Sequence, residues 1–153
     1  MSDGLAQRIR SFREARGLSL ELIADRLGVT FEWADDLERY DDEVASTLTV
    51  RQLLALAGIL GVDSAALLSS DTDAHESGPA VRLQELAASI RARSASLPEG
   101  IDQLETEAGW GCREMLGDPR CVGDWCVEQL LQVCEAAGVP WARVLPALEG
   151  DLR

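Results

Sequence analysis

Four cysteines, one histidine and twenty-seven carboxylates are the side chains from which catalysis or metal binding would have to be built. Cys112, Cys121, Cys126 and Cys134 are separated by eight, four and seven residues. Structural zinc sites pair thiolates as C-x-x-C, because two ligands must reach one ion from a single tight turn; this spacing does not predict zinc. A Cys121–Cys126 or Cys112–Cys121 disulfide stays open only in an oxidising setting. Without a secretion signal, reduced thiols are expected, with Cys134 as a small core residue. His75 lies in a polar stretch and is the sole histidine, so neither a Ser-His-Asp triad nor a multi-histidine metal site is expected. No glycine-rich phosphate loop occurs, and no carboxylate pair stands out from the others. The expectation is a non-catalytic protein with no metal and no cofactor.

The distribution of the carboxylates is more informative. Residues 30–43 hold Glu32, Asp35, Asp36, Glu38, Asp41, Asp42 and Glu43 against Arg39 alone, within a chain of net charge −13. Such a field repels phosphates and anionic membrane surfaces and favours cationic partners. All fourteen basic residues are Arg, which reads as a codon-bias signature. No apolar run approaches the roughly 18–20 residues that span a bilayer, and the start "MSDGLAQRIRSF" lacks the basic and apolar regions of a signal peptide. A soluble cytoplasmic protein is expected.

Helices must position these groups. Leu5, Ile9 and Phe12 form one apolar stripe that stops at Gly17. Ser19 caps "LELIADRL", whose Leu20, Ile23, Ala24 and Leu27 share a face before Gly28 ends it. Thr30 caps a third helix with Trp33, Ala34 and Leu37 inward and Glu32, Asp35, Asp36 and Arg39 toward solvent. An acidic loop is expected next. Thr49 and Gln52 form a capping box ahead of the nearly all-apolar "VRQLLALAGIL", and Gly61 precedes a short fifth helix over residues 63–68. Leu27 and Leu53 are both expected in the core.

Residues 69–80, "SSDTDAHESGPA", have the composition of an exposed linker. They divide the chain into domains at 1–68 and 81–153. Shifting the sequence by 77 residues then sets Ser19-Leu20 on Ser96-Leu97, Asp25 on Asp102, Leu27 on Leu104 and Trp33 on Trp110. It also sets Val50 on Val127, Gln52 on Gln129 and Gly61-Val62 on Gly138-Val139. The matches fall on caps, core positions and helix stops, as a duplication over residues 82–146 predicts. In that register Glu105 stands where Gly28 did, Ser96 and Glu99 make a capping box, and Gly109 and Gly111 leave a third helix short or irregular. Trp110, Trp125 and Trp141 add apolar area.

"RIRSFREARGLSLELIADRLGVTFEWADDLERY" with "LTVRQLLALAGILGVDSAALL" resembles the lambda-repressor-like (Cro/CI, XRE-type) helix-turn-helix family over residues 5–68. The repeat shares this only by alignment. The resemblance implies an all-α fold of two tandem five-helix units, packed or linked, the third helix of the first being a reader of the major groove. The residues depart from that role. Leu20 replaces the usual Gln, and Phe31, Glu32, Trp33 and Asp36 occupy positions that normally supply donors or positive charge. We therefore expect a basic protein partner, bound through Phe31, Glu32, Trp33, Asp35, Asp36, Arg39, Asp41 and Asp42. Such a partner would be a toxin, a regulator or a nucleic-acid-binding protein. The alternative is a homodimerising DNA-binding repressor whose Arg8, Arg10, Arg13 and Arg16 reach phosphates. A structural adaptor that oligomerises through the second unit is third.

Overall fold

The computed structural model describes residues 4–69 and 78–153. These are all-helical, with no strand among them. The chain divides into two compact units, Met1–Ala74 and His75–Arg153. The change-over falls within the expected linker, whose residues 70–77, His75 among them, lie outside the described residues.

Among its described residues the first unit has six helices, one more than expected: α1 Leu5–Ala15, α2 Leu20–Leu27, α3 Phe31–Leu37, α4 Asp41–Thr47, α5 Val50–Leu60 and α6 Ser64–Leu68. Side-chain caps start three of them. Ser19 Oγ accepts from Leu22 N, Thr30 Oγ1 from Trp33 N, and Thr49 with Gln52 closes a reciprocal box, each satisfying backbone donors that a helix start leaves open. Gly28 and Gly61 end α2 and α5 at φ 69° and 62°, where a Cβ would be strained. Val50, Leu53, Leu56, Ala57 and Leu60 bury the inner face of α5, making it the centre of the bundle. Leu27, expected beside them, is only half-buried.

The expected acidic loop is the helix α4. Asp41 and Asp42 occupy its first turn, where the helix dipole favours carboxylates, and Val44 and Leu48 are buried at 1% and 0% exposure. Burial of those two side chains holds a seven-residue helix that would not persist alone. Asp41 also reaches back to α1, accepting from Ala6 N at 2.7 Å. The α1 N-cap, Gly4, has no side chain to do this, and a Cβ there would overlap the Asp41 carboxylate. A remote carboxylate thus takes the place of a local cap.

The second unit runs α7 Leu83–Ser96, α8 Ile101–Ala108, α9 Glu114–Gly117, a 3-10 segment Pro119–Asp124, α10 Val127–Ala137 and α11 Trp141–Asp151. Its third helix is indeed short, four residues long. The 77-residue register holds at α5 and α10. Both are eleven residues long, and Cys126 Sγ accepts from Gln129 N as Thr49 Oγ1 accepts from Gln52 N. Gly61 and Gly138 then end them in the same left-handed conformation.

Earlier in the unit that register fails. Laying α2 on α8 requires a shift of 81, which pairs Gly28 with Gly109, both left-handed stops. Ser96 is accordingly the last residue of α7, not a cap, and its hydroxyl donates to Arg93 O. Gly100 precedes α8 without a side-chain cap, so the expected Ser96–Glu99 box is absent. The Ser96, Asp102, Leu104 and Trp110 identities therefore do not mark equivalent positions.

Glu105 does not replace a glycine stop either. From within α8 its carboxylate accepts from Cys112 N, Arg113 N and the Arg113 guanidinium, fixing the turn into α9. Asp151 plays a similar part at the end of α11, accepting from Leu83 N and from Arg82. The guanidinium bonds of Arg113 and Arg82, with those backbone donors, hold both carboxyls below their ordinary values of 4.5 and 3.8. Depressed folded-state values mean stability that is complete above the unfolded values and lost as pH falls through the folded ones. The second unit is thus expected to weaken below about pH 4. Glu105→Gln should flatten that loss, read by urea denaturation at neutral and acid pH; an unchanged profile would assign the acid sensitivity to other groups.

Candidate functional site

Helix α3 turns about 100° per residue, so its seven residues present distinct faces. Ala34 and Leu37 point into the core at 1% and 4% exposure. Opposite them, Glu32 and Asp36 are exposed. Phe31 lies at one edge of this acidic face, and Trp33 lies about 160° away at the other. The helical path persists past Leu37, because Tyr40 N donates to Asp36 O, and this brings Tyr40 round to the Trp33 edge. Among the described residues Phe31 (44%) and Tyr40 (51%) are the exposed large hydrophobic side chains. Together they bracket one seven-residue helix.

Where α3 meets α4, a groove of about 80 Å³ opens, lined by Trp33, Asp36, Leu37, Tyr40, Val44 and Thr47. Leu37 and Val44 make it apolar, the two aromatic rings give it flat walls, and Asp36 and Thr47 give it polar edges. Cofactor and drug-sized pockets run to about 300–1,000 Å³. This groove therefore suits a single side chain.

The expected binding residues do not form one set. Phe31, Glu32, Trp33 and Asp36 share the α3 surface as described, and Asp42 is exposed on α4. Asp35, expected toward solvent, is half-buried and paired with Arg39 at 2.8 Å. Asp41, exposed though it is, works for the fold as the cap of α1. Glu38 is withdrawn altogether: its side chain is 7% exposed and forms a two-pronged pair with Arg13 at 2.5 and 2.8 Å. Glu32, Asp36 and Asp42 remain as carboxylates with no ion pair or side-chain hydrogen bond among the described residues. Tyr40, Val44 and Thr47 were not anticipated. The i, i+4, i+7 spacing of Trp33, Leu37 and Tyr40 carries the signal for Tyr40, once the helical turn is followed beyond its last regular residue.

The α1 arginines are turned to internal tasks. Arg8 donates to Leu67 O and Leu68 O, closing the end of α6. Arg13 donates to Leu18 O as well as Glu38, and the Glu38 contact raises its already high pKa. Arg16 reaches Gly61 O, the stop of α5. Arg10 pairs with Glu14 one turn on, with both side chains about half exposed. A helix whose guanidinium groups are engaged by carbonyls and carboxylates has few donors left for phosphates.

Among the described residues no group of three His, Cys, Asp or Glu side chains is placed to hold a metal ion, and no helix is long and apolar enough to cross a membrane. The four thiols are free. Burial pushes Cys134 up to about 12 and Cys112 up to about 11. Because the thiolate is the nucleophile, a thiol-exchange reagent at pH 8 is expected to modify the half-buried Cys121 and Cys126 first. Cys112 and Cys134 should react only on unfolding; mass spectrometry of the partly modified chain checks this, and early labelling of Cys134 would contradict its core placement.

No family model, curated protein or solved structure matches the chain.

Proposed function

We propose that the first unit is a helix-turn-helix-derived, lambda-repressor-like binding domain whose former recognition helix engages a basic protein. In this reading the chain is a regulatory or inhibitory binder without catalytic activity. Its partner would be a toxin, a regulator or a nucleic-acid-binding protein. The observation that carries the reading is the surface of α3, where exposed Phe31 and Tyr40 flank Glu32 and Asp36. Protein interfaces are enriched in exposed aromatic anchors, and the carboxylates between these two supply the charge that complements a basic surface. The derivation from DNA readers rests on the sequence resemblance over residues 5–68. Arg8, Arg13 and Arg16 of α1 are engaged within the unit, which favours the protein partner over a duplex. The adaptor reading gains nothing from the second unit, whose described residues expose no large hydrophobic side chain.

Affinity capture with the full chain as bait should retain basic proteins, and that retention should fall steeply with salt. Glu32→Gln, Asp36→Asn and Asp42→Asn combined should weaken capture by about tenfold or more and flatten the salt dependence. None of the three side chains has an ion pair or side-chain hydrogen bond among the described residues, and Asp42 adds only the dipole contribution of about 0.3–1 kcal/mol to α4, so the melting curve should shift little. Undiminished capture by the triple variant would leave the acidic face as a solubilising surface. Nanomolar binding to a specific duplex at about 150 mM salt would restore the repressor.

A further inference from the structure

The geometry points to the groove between α3 and α4 as a receptor for one arginine side chain of the partner protein, with Trp33 and Tyr40 stacking its guanidinium and Asp36 pairing it. This rests on the proposed function and names the chemistry of its anchor.

Size sets the first limit. A groove of about 80 Å³ takes one side chain and excludes a packed helix or a cofactor. Chemistry sets the second. Leu37 and Val44 offer an apolar floor, which an uncharged aliphatic or aromatic anchor would also accept. Such an anchor would cover the Asp36 carboxylate without pairing it, and a desolvated, unpaired carboxylate is costly. A cation removes that cost, and Glu32 and Asp42 nearby in the same unit add to the negative field.

Between the two cationic side chains, the lining favours arginine. Its three methylenes can lie along Leu37 and Val44. Its planar guanidinium stacks on aromatic rings and forms two parallel bonds to a carboxylate, whereas an ammonium is a compact, strongly hydrated point charge. Tyr40 stands between α3 and α4 with its amide bonded to Asp36 O, and its side chain is half exposed. Tyr40 can therefore settle on an incoming side chain at little cost to the fold.

The test titrates the full chain calorimetrically with oligo-arginine and oligo-lysine peptides of equal length at about 150 mM salt. Oligo-arginine should bind about tenfold more tightly, a factor between those of an exposed and a desolvated cation–π contact. Tyr40→Ala and Asp36→Asn should each erase that preference while leaving oligo-lysine binding in place. Glu99→Gln, which removes the same charge from an exposed position in the second unit, should preserve it. Equal affinities for the two peptides, or a preference that survives both Tyr40→Ala and Asp36→Asn, would overturn the groove and leave the acidic face standing. Failure of both peptides to bind would overturn the face and the groove together.

Discussion

Replacing Arg13 with Met should lower the melting temperature of the first unit by roughly 10 °C or more, a loss of about 3 kcal/mol. The side chains of Arg13 and Glu38 are 14% and 7% exposed and meet through two bonds, joining α1 to the end of α3. Removing the cation strands a carboxylate that water barely reaches and frees Leu18 O from its donor. A single buried charge left without its partner costs far more than the pair contributes over an apolar substitute. Arg13→Met combined with Glu38→Leu should accordingly recover most of the loss. A double-mutant cycle followed by circular dichroism measures the coupling. If the Met variant loses less than about 1 kcal/mol, water is screening the pair as it does at an open surface.

Leu53→Ala is expected to cost about 2–5 kcal/mol, a large fraction of the stability a unit of this size can have. Leu53 is 0% exposed on the inner face of α5, and its neighbours along that face, Val50, Leu56 and Leu60, are equally covered. Three missing carbons there leave a cavity that the surrounding helices fill only in part. Leu27→Ala should cost distinctly less, because Leu27 is half-buried at the end of α2. Urea denaturation of the two variants orders them; equal losses would contradict the burial difference. The comparison also separates two routes to lost binding. Leu53→Ala would reduce capture by destabilising the unit, whereas Asp36→Asn would weaken it with the melting curve intact.

Caps and stops were legible in the sequence because each is a local event. Ser19, Thr30 and the Thr49–Gln52 pair act within three residues, and Gly28 and Gly61 meet a conformational demand at one position. Helix α4 was not legible, since seven residues carry too little periodicity and an acidic start also suits a loop. What holds it is the burial of Val44 and Leu48, a tertiary effect. The same reason hid the tasks of Asp41, Glu38 and Glu105, whose partners lie 35, 25 and 7 residues away or more along the chain. Composition counted them as surface charge; only three-dimensional proximity distinguishes them from Glu32, Asp36 and Asp42. The repeat misled in another way. Identities at Ser96, Asp102 and Leu104 were aligned without a gap, while α8 sits four residues later and only α10 restores the register.

The frame of the first unit is fastened by guanidinium groups, and the chain contains no lysine. Its side chains therefore offer no ε-amine for acetylation or for isopeptide tagging. Amine-to-amine crosslinkers will likewise pass over its side chains when it sits on a partner. Carbodiimide coupling reverses the situation: exposed carboxylates, Glu32, Asp36 and Asp42 among them, become the electrophiles, and any bond to a lysine of a partner would record which carboxylate touched it.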